Sequence, residues 1–550
     1  MVGASTWGIG PRAAATRWRF GFMDRRKIVK RRDTFGLGTA ALLAAQFGSR
    51  IPVASARGEG GTFVFGTAGD PVGLDPAVVT DGQSLRFADQ IFDTLITFNG
   101  SSTDLKPSLA KSWDVSADGL TYTMKLRSGV RFHDGTAFDA TAVKWNFDRW
   151  GDPKNKNHTG GDFEYYTDVA AWPDVISSVD AVDDLTVRFN LKASQGPFLL
   201  NMALGSFSIF SPAAFELDPE NAKRKPVGTG PYKFVEWVPG DKVVMEANAD
   251  YWGEVSNVDQ VVVRTIPDNS ARFLALKAGS IDMMDGVNPD DVATAKADRG
   301  IGILLRPPLN VAYINFNQTK KPFDDVRIRQ AFAAGINRQA IVDALYGGRG
   351  VVANQMIPDY MLGYNTELKG FTYDVAAAKK LLADAGFPNG FTTEFWYMPV
   401  SRPYYPNPKQ IAEAFAAELK KIGITAELKT KDWGAYLKSS RENEFPVFML
   451  GWGGDNGDTD NFLFTFFGTD GGGNTWKNDE ARKLLVKAQQ SADNQERDTL
   501  YRQVNALIEK EVPRLPIAHT KVPLLARAYV KGYLPSPVGA ERFTMVWLDK

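Results

Sequence analysis

Residues 451–462, GWGGDNGDTDNF, carry four glycines, three aspartates and a tryptophan in twelve positions. A strand-like run, FPVFML (Phe445–Leu450), leads in, and an apolar run, NFLFTFF, leads out. Carboxylates on a bare backbone at the end of a buried strand suit a metal, acid–base catalysis, a cationic ligand, or loop chemistry in which Asp and Asn bond their own backbone. Calcium fits poorly, because Asp455, Asp458 and Asp460 lack EF-hand spacing and no Glu follows at the closing position. Asp458 and Asp460 read as turn and capping residues, which leaves Asp455 for a ligand. A second loop, PVSRPYYPNP (399–408), brings a guanidinium, Arg402, among prolines and tyrosines. Taken singly, Arg402 reads as a salt-bridge residue, and Trp433 and Trp452 read as core. Together, a fixed cation and a fixed anion suit a zwitterion.

Catalysis finds little support. The chain has three histidines, and the HDG at His133 sits in a hairpin-like stretch that reads as a turn. No G-x-S-x-G, H-E-x-x-H, P-loop or G-x-G-x-x-G fingerprint occurs. With no cysteine, disulfides, thiolate metal sites, cysteine nucleophiles and lipid attachment through a cysteine are excluded. Lys+Arg and Asp+Glu balance at 64 each, but residues 1–56 hold ten of the basic and two of the acidic residues. The remaining body is mildly acidic, with no basic stripe for nucleic acid.

For Asp455 and Arg402 to meet, the two loops must leave the same edge of one sheet. From about residue 310 the pattern alternates strands and helices. Strands are expected at Thr392–Met398, Ile424–Thr430 and Phe445–Leu450. Helices are expected over DDVRIRQAFAAGINRQAIVDALYG with Asn337 as an internal cap, over NPKQIAEAFAAELKKIG, and briefly around Tyr436. Such alternation predicts βαβ units and a largely parallel sheet, whose ligands bind beyond the carboxyl ends of the strands. Two helices close the region, one of them carrying Leu500, Val504, Leu507 and Ile508, and LPIAHTKVPLLARA reads as one last strand-like piece. Earlier, SWDVSADGLTYTMKL and VDDLTVRFNL alternate as hairpin strands, and 228–248 reads as strands broken by turns. A chain of 550 residues exceeds one core, so two or three domains are expected.

The N-terminus reads as an export signal. Basic DRRKIVKRRD precedes a short apolar stretch, FGLGTAALLAAQF, and Ala54-Ser55-Ala56 suits cleavage before Arg57. Arg31-Arg32 with Phe35 is similar to a twin-arginine signal, and the general secretory route is the alternative.

Across most of the mature chain, several segments together resemble family 5 of bacterial extracytoplasmic solute-binding proteins, the peptide/nickel/opine type that feeds ABC importers. They are LAKSWDVSADGLTYTMKLRSGVRFHDGTAF, VGTGPYKFVEW, YWG at Tyr251–Gly253, NFNQTKKPFDDVRIRQAFAAGINRQAIV and LYRQVNALIEKEVPRLPIAH. WYMPVSRPYYPNP and GWGGDNGDTDNF are most similar to its dipeptide-binding members. The resemblance implies an α/β, two-lobed periplasmic-binding-protein fold (type II-like, cluster C) with an extra strand-rich subdomain and a hinge. The implied division is an export region 1–56, a first lobe from 57–95, 226–308 and 523–550, the subdomain 96–225, and a second lobe 309–522. By the same resemblance Asp455 holds a peptide α-ammonium, Arg402 an α-carboxylate, Tyr404, Trp433 and Trp452 wall the pocket, and Thr80 contacts ligand from the other lobe. It implies a monomeric periplasmic protein that hands dipeptides to a membrane permease, with no metal, cofactor or nucleic acid. Oligopeptide, haem, glutathione, opine and nickel chelates are the alternative ligands within the family. A secreted peptide hydrolase is the alternative of another class.

Overall fold

The computed structural model describes residues 60–469, 473–539 and 541–550. The export-signal reading at 1–56 therefore lies outside the described residues. Ala56–Lys550 forms one compact unit, and the account below concerns that unit.

Two large sheets organise it. A seven-stranded sheet runs in the order Ile301–Arg306, Val522–Arg527, Met283–Met284, Thr62–Thr67, Gln260–Thr265, Lys242–Ala247, Tyr232–Val238. A six-stranded sheet runs in the order Gly350–Val352, Arg514–Thr520, Asn310–Phe316, Val447–Gly453, Phe391–Trp396, Ile424–Lys429. The expectation of a largely parallel second sheet needs correction. Only Phe391–Trp396 has parallel neighbours on both sides; the three pairings around Asn310–Phe316 and Arg514–Thr520 are antiparallel. Asn310–Phe316 enters directly from the other sheet with no helix crossover before it, and Arg514–Thr520, which follows helix Asn494–Glu511, leaves directly for the other sheet.

The chain passes between the sheets twice. Strand Ile301–Arg306 is followed by residues 307–309 and then strand Asn310–Phe316. Strand Arg514–Thr520 is followed by Lys521 and then Val522–Arg527. LPIAHTKVPLLARA is thus two strands in two sheets, where its sequence reads as one. Apolar character alone does not reveal the break, because Leu515, Ile517, Leu524 and Leu525 are all buried.

A four-stranded antiparallel sheet, in the order Ala110–Val115, Thr121–Leu126, Thr186–Leu191, Ile176–Asp183, forms the strand-rich part. Its first hairpin turns at Gly119, φ 68°, with Asp118 accepting the Leu120 amide at 3.0 Å. Tyr122, Met124 and Leu126 face a core shared with Val187, Phe189 and Leu191, as period-two alternation requires.

The six-stranded sheet is covered by the expected helices. Pro408–Lys421 buries Ile411, Phe415 and Leu419 on one stripe. Asn337 separates Val326–Gly335 from Arg338–Leu345 by accepting the Ala340 amide at 3.0 Å. Asn494–Glu511 buries Leu500, Val504 and Ile508.

Candidate functional site

Strands Phe391–Trp396 and Val447–Gly453 lie in one sheet and run parallel, paired at Trp396 and Phe448. Their carboxyl ends therefore open on one edge, as the two loops require. The second strand ends three residues later than FPVFML suggests, because Gly451, Trp452 and Gly453 pair with Ala312, Val311 and Asn310. Gly451 is glycine for a packing reason: a Cβ there would overlap the Tyr404 ring. Tyr404 thus seats the Arg402 loop directly on the strand that carries Trp452.

Arg402 is exposed. Its backbone exchanges hydrogen bonds with Tyr405 at 3.1 and 3.0 Å, and its guanidinium lies 4.8 Å from the centre of the Trp433 ring. Trp433 in turn stacks on Tyr436 at 6.0 Å and 16°. The Tyr436 hydroxyl lies 3.2 Å from the Trp396 carbonyl and 2.7 Å from the Met449 carbonyl. This layer ties the guanidinium to the ends of both strands.

Asp455 is partly buried and held by neutral donors. The Asn461 amide donates to Oδ2 at 3.0 Å and the Tyr165 hydroxyl to Oδ1 at 3.4 Å. The Asn461 oxygen accepts the Asp455 amide at 2.9 Å and the Trp452 indole N–H at 3.2 Å, which fixes the indole beside the carboxylate. Burial pushes the Asp455 carboxyl above its ordinary range, against the opposing bonds from Asn461 and Tyr165. Among the described residues neither Asp455 nor Arg402 has an ion-pair partner.

The other two aspartates of the stretch serve the loop. Asp458 pairs with buried Arg497 at 2.6 Å and accepts the Asp460 amide at 2.8 Å. Asp460 opens helix Asp460–Phe467 and accepts from Gln489 at 3.2 Å. His133 also has the local role its HDG context suggests. Asp134 accepts the Thr136 amide and hydroxyl, Gly135 has φ 85°, and His133 Nε2 lies 2.9 Å from the Gly230 carbonyl.

Asp455 and Thr80, far apart in sequence, line one cavity of about 290 Å³. Thr80 is exposed and precedes Asp81, which caps helix Gly82–Ile91 by accepting the Gln83 and Ser84 amides. Tyr165, Gln83 and Arg86 also line this cavity, and sequence reasoning missed all three. Tyr165 lies 290 positions from Asp455 and carries no local signal; only the fold joins them. Arg402, Tyr404, Trp433 and Trp452 stand outside this lining, at the sheet edge. Another cavity, about 480 Å³, contains neither Asp455 nor Arg402 in its lining. Among the described residues no group of three or more His, Asp or Glu is placed to hold a metal ion.

The model of Bacterial extracellular solute-binding proteins, family 5 Middle, matches residues 104–474. The chain belongs to this family. Heme-binding protein A of Haemophilus influenzae is 37% identical, covering 89% of this chain and 92% of its own length. The dipeptide-binding protein of Escherichia coli is 36% identical, covering 89% and 95%. Among solved structures, the ABC transporter-associated periplasmic binding protein DppA of Helicobacter pylori, in complex with peptide STSA, is 35% identical. It superposes with a TM-score of 0.77, covering 90% of this chain and 99% of its own. The two-lobed α/β architecture and the role of solute-binding component of an ABC importer follow from this membership. These relatives are solute-binding proteins, not enzymes. No helix among the described residues is long and apolar enough to cross a membrane.

Proposed function

We propose that this family 5 protein captures dipeptides outside the cytoplasmic membrane and delivers them, as a monomer, to an ABC permease. The observation that carries the reading is a carboxylate, Asp455, and a guanidinium, Arg402, at one edge of one sheet, each without an ion-pair partner among the described residues. Asp455 receives the α-ammonium and Arg402 the α-carboxylate. Trp452 and Trp433 shield the two charges from water, Tyr404 seats the arginine loop, and Thr80 meets the ligand from the opposite lobe. The dipeptide-binding protein of Escherichia coli and the peptide complex of the Helicobacter relative support this ligand class.

Capture proceeds by hinge closure. The lobes are 57–95, 226–308 and 523–550 against 309–522, with 96–225 as the added subdomain. The two passages at 307–309 and Lys521 are the segments able to absorb the change in backbone angle. Ligand stabilises the closed form through contacts that only that form offers. Arg402 lies outside the Asp455 cavity, so closure has to bring ligand, arginine loop and opposite lobe together.

Calorimetric titration tests the reading with one dipeptide and its N-acetylated and C-amidated forms, using refolded protein. Tight binding of the free dipeptide, lost on blocking either end, supports paired clamps. Equal binding of all three, or none, removes the dipeptide assignment.

A further inference from the structure

We propose that the Asp455 cavity is the side-chain subsite for the first residue of the bound peptide, and that Asp89 gives it a preference for a basic side chain. This rests on the reading that Asp455 holds the α-ammonium. A Cα lies one N–Cα bond, about 1.5 Å, from its ammonium nitrogen, so the first side chain departs beside Asp455. The adjoining space is the cavity of about 290 Å³. That is the small end of ligand pockets, which span about 300–1,000 Å³, and suits one side chain better than a whole peptide.

The cations in its wall are already engaged. Arg86 pairs with Asp285 at 2.5 Å and donates to Thr67 at 2.7 Å. Arg306 is in a doubly bonded pair with Glu541. Outside this wall, in the lining of the 480 Å³ cavity, Arg542 also acts on Asp89, and it pairs with Asp93 at 2.7 Å and donates to the Tyr251 hydroxyl. Asp89 also lines the cavity, and it makes no hydrogen bond or ion pair among the described residues. Burial pushes its carboxyl up to about 7; Glu541 adds to the rise, and Arg542 and Arg86 oppose it. A carboxyl desolvated without a close partner is stabilised by any cation brought to it. Leu85, Phe98, Leu204 and Val538 supply apolar wall for the methylene stem of a lysine or arginine. Asp89 and Phe98 also border the 480 Å³ cavity, which places Asp89 at the far wall of the first chamber.

Lysyl-alanine and norleucyl-alanine differ by the terminal ammonium alone. Titrating both into the wild-type protein should show lysyl-alanine tighter by about ten- to a hundredfold, the usual worth of one charge-assisted hydrogen bond. In Asp89→Asn that ratio should fall to about one. A ratio near one in the wild type, or a large ratio that survives Asp89→Asn, overturns the assignment. N-acetyl-norleucyl-alanine separates the two readings. If acetylation weakens binding while the lysine/norleucine ratio is one, only the subsite fails. If acetylation has no effect, the ammonium clamp fails and the subsite with it.

Discussion

Asp455→Asn is the sharpest perturbation, because it removes one charge and almost no volume. Asp455 receives two bonds from neutral donors, Asn461 at 3.0 Å and Tyr165 at 3.4 Å, the second beyond the usual range for two oxygens. Neither supplies a positive charge, so a bound ammonium provides the compensation. Its charge-assisted bond is worth about 1.5–3 kcal/mol, and stranding the ammonium in a partly buried site raises the loss to about 2–5 kcal/mol. That corresponds to a weakening of about 30-fold to several thousandfold. Titration calorimetry with a free dipeptide and its N-acetyl form reads the effect as a cycle. The free peptide should lose the full factor, and the acetylated one should bind both proteins weakly and alike. A loss under about threefold for the free peptide, or equal losses for both, refutes the charge pairing. pH gives an independent check. Burial raises the Asp455 carboxyl, so the empty protein protonates there at a higher pH than an ordinary carboxylate. Wild-type affinity should fall as pH drops through that raised value, and Asp455→Asn should flatten the profile.

Three further outcomes are expected. Asp458→Ala leaves the buried Arg497 guanidinium without its 2.6 Å partner, and should cost about 3–5 kcal/mol in urea denaturation. Gly451→Ala drives a Cβ into the Tyr404 ring, costing about 1–3 kcal/mol and weakening peptide binding by displacing the Arg402 loop; unchanged affinity would break that link. Burial and neighbouring Asp458 push Asp460 up to about 7. A carboxyl whose folded pKa exceeds its unfolded one contributes fully at low pH, and that contribution is lost as pH rises toward 7. Asp460→Asn should therefore stabilise the protein at pH 8 by about 1–3 kcal/mol and change little at pH 4, read from denaturation midpoints at both.

Where the sequence was legible, local chemistry set the structure. The Asp118-Gly119 turn, the Asn337 cap and the Ile411–Phe415–Leu419 stripe each depend on residues within a few positions of one another. Strand direction is a different kind of property. Asn310–Phe316 is wholly buried, and an apolar run looks the same whether its neighbours run parallel or antiparallel. The split at Lys521 is hidden likewise, since both flanking strands are apolar and the change of sheet depends on pairing with strands more than 200 residues earlier.

The site divides along the same line. Asp455 stood out because three aspartates among four glycines exceed what a turn needs, and the structure accounts for the other two as loop fasteners. Arg402 stood out only in combination, because its loop was expected to leave the same sheet edge as the Asp455 loop and the two offer opposite fixed charges. Tyr165, Gln83 and Asp89 had no such signal. Each sits in an ordinary amphipathic or loop context, and each gains its meaning only where a distant segment closes over Asp455. Asp455 and Arg402 were therefore nameable from sequence as candidates, because each belongs to a loop of unusual local composition. The cavity beside Asp455 was not, because its walls come from segments that meet only in the folded chain. Under the proposed subsite, selectivity among peptides rests on that cavity, and so on the three-dimensional arrangement more than on any local stretch.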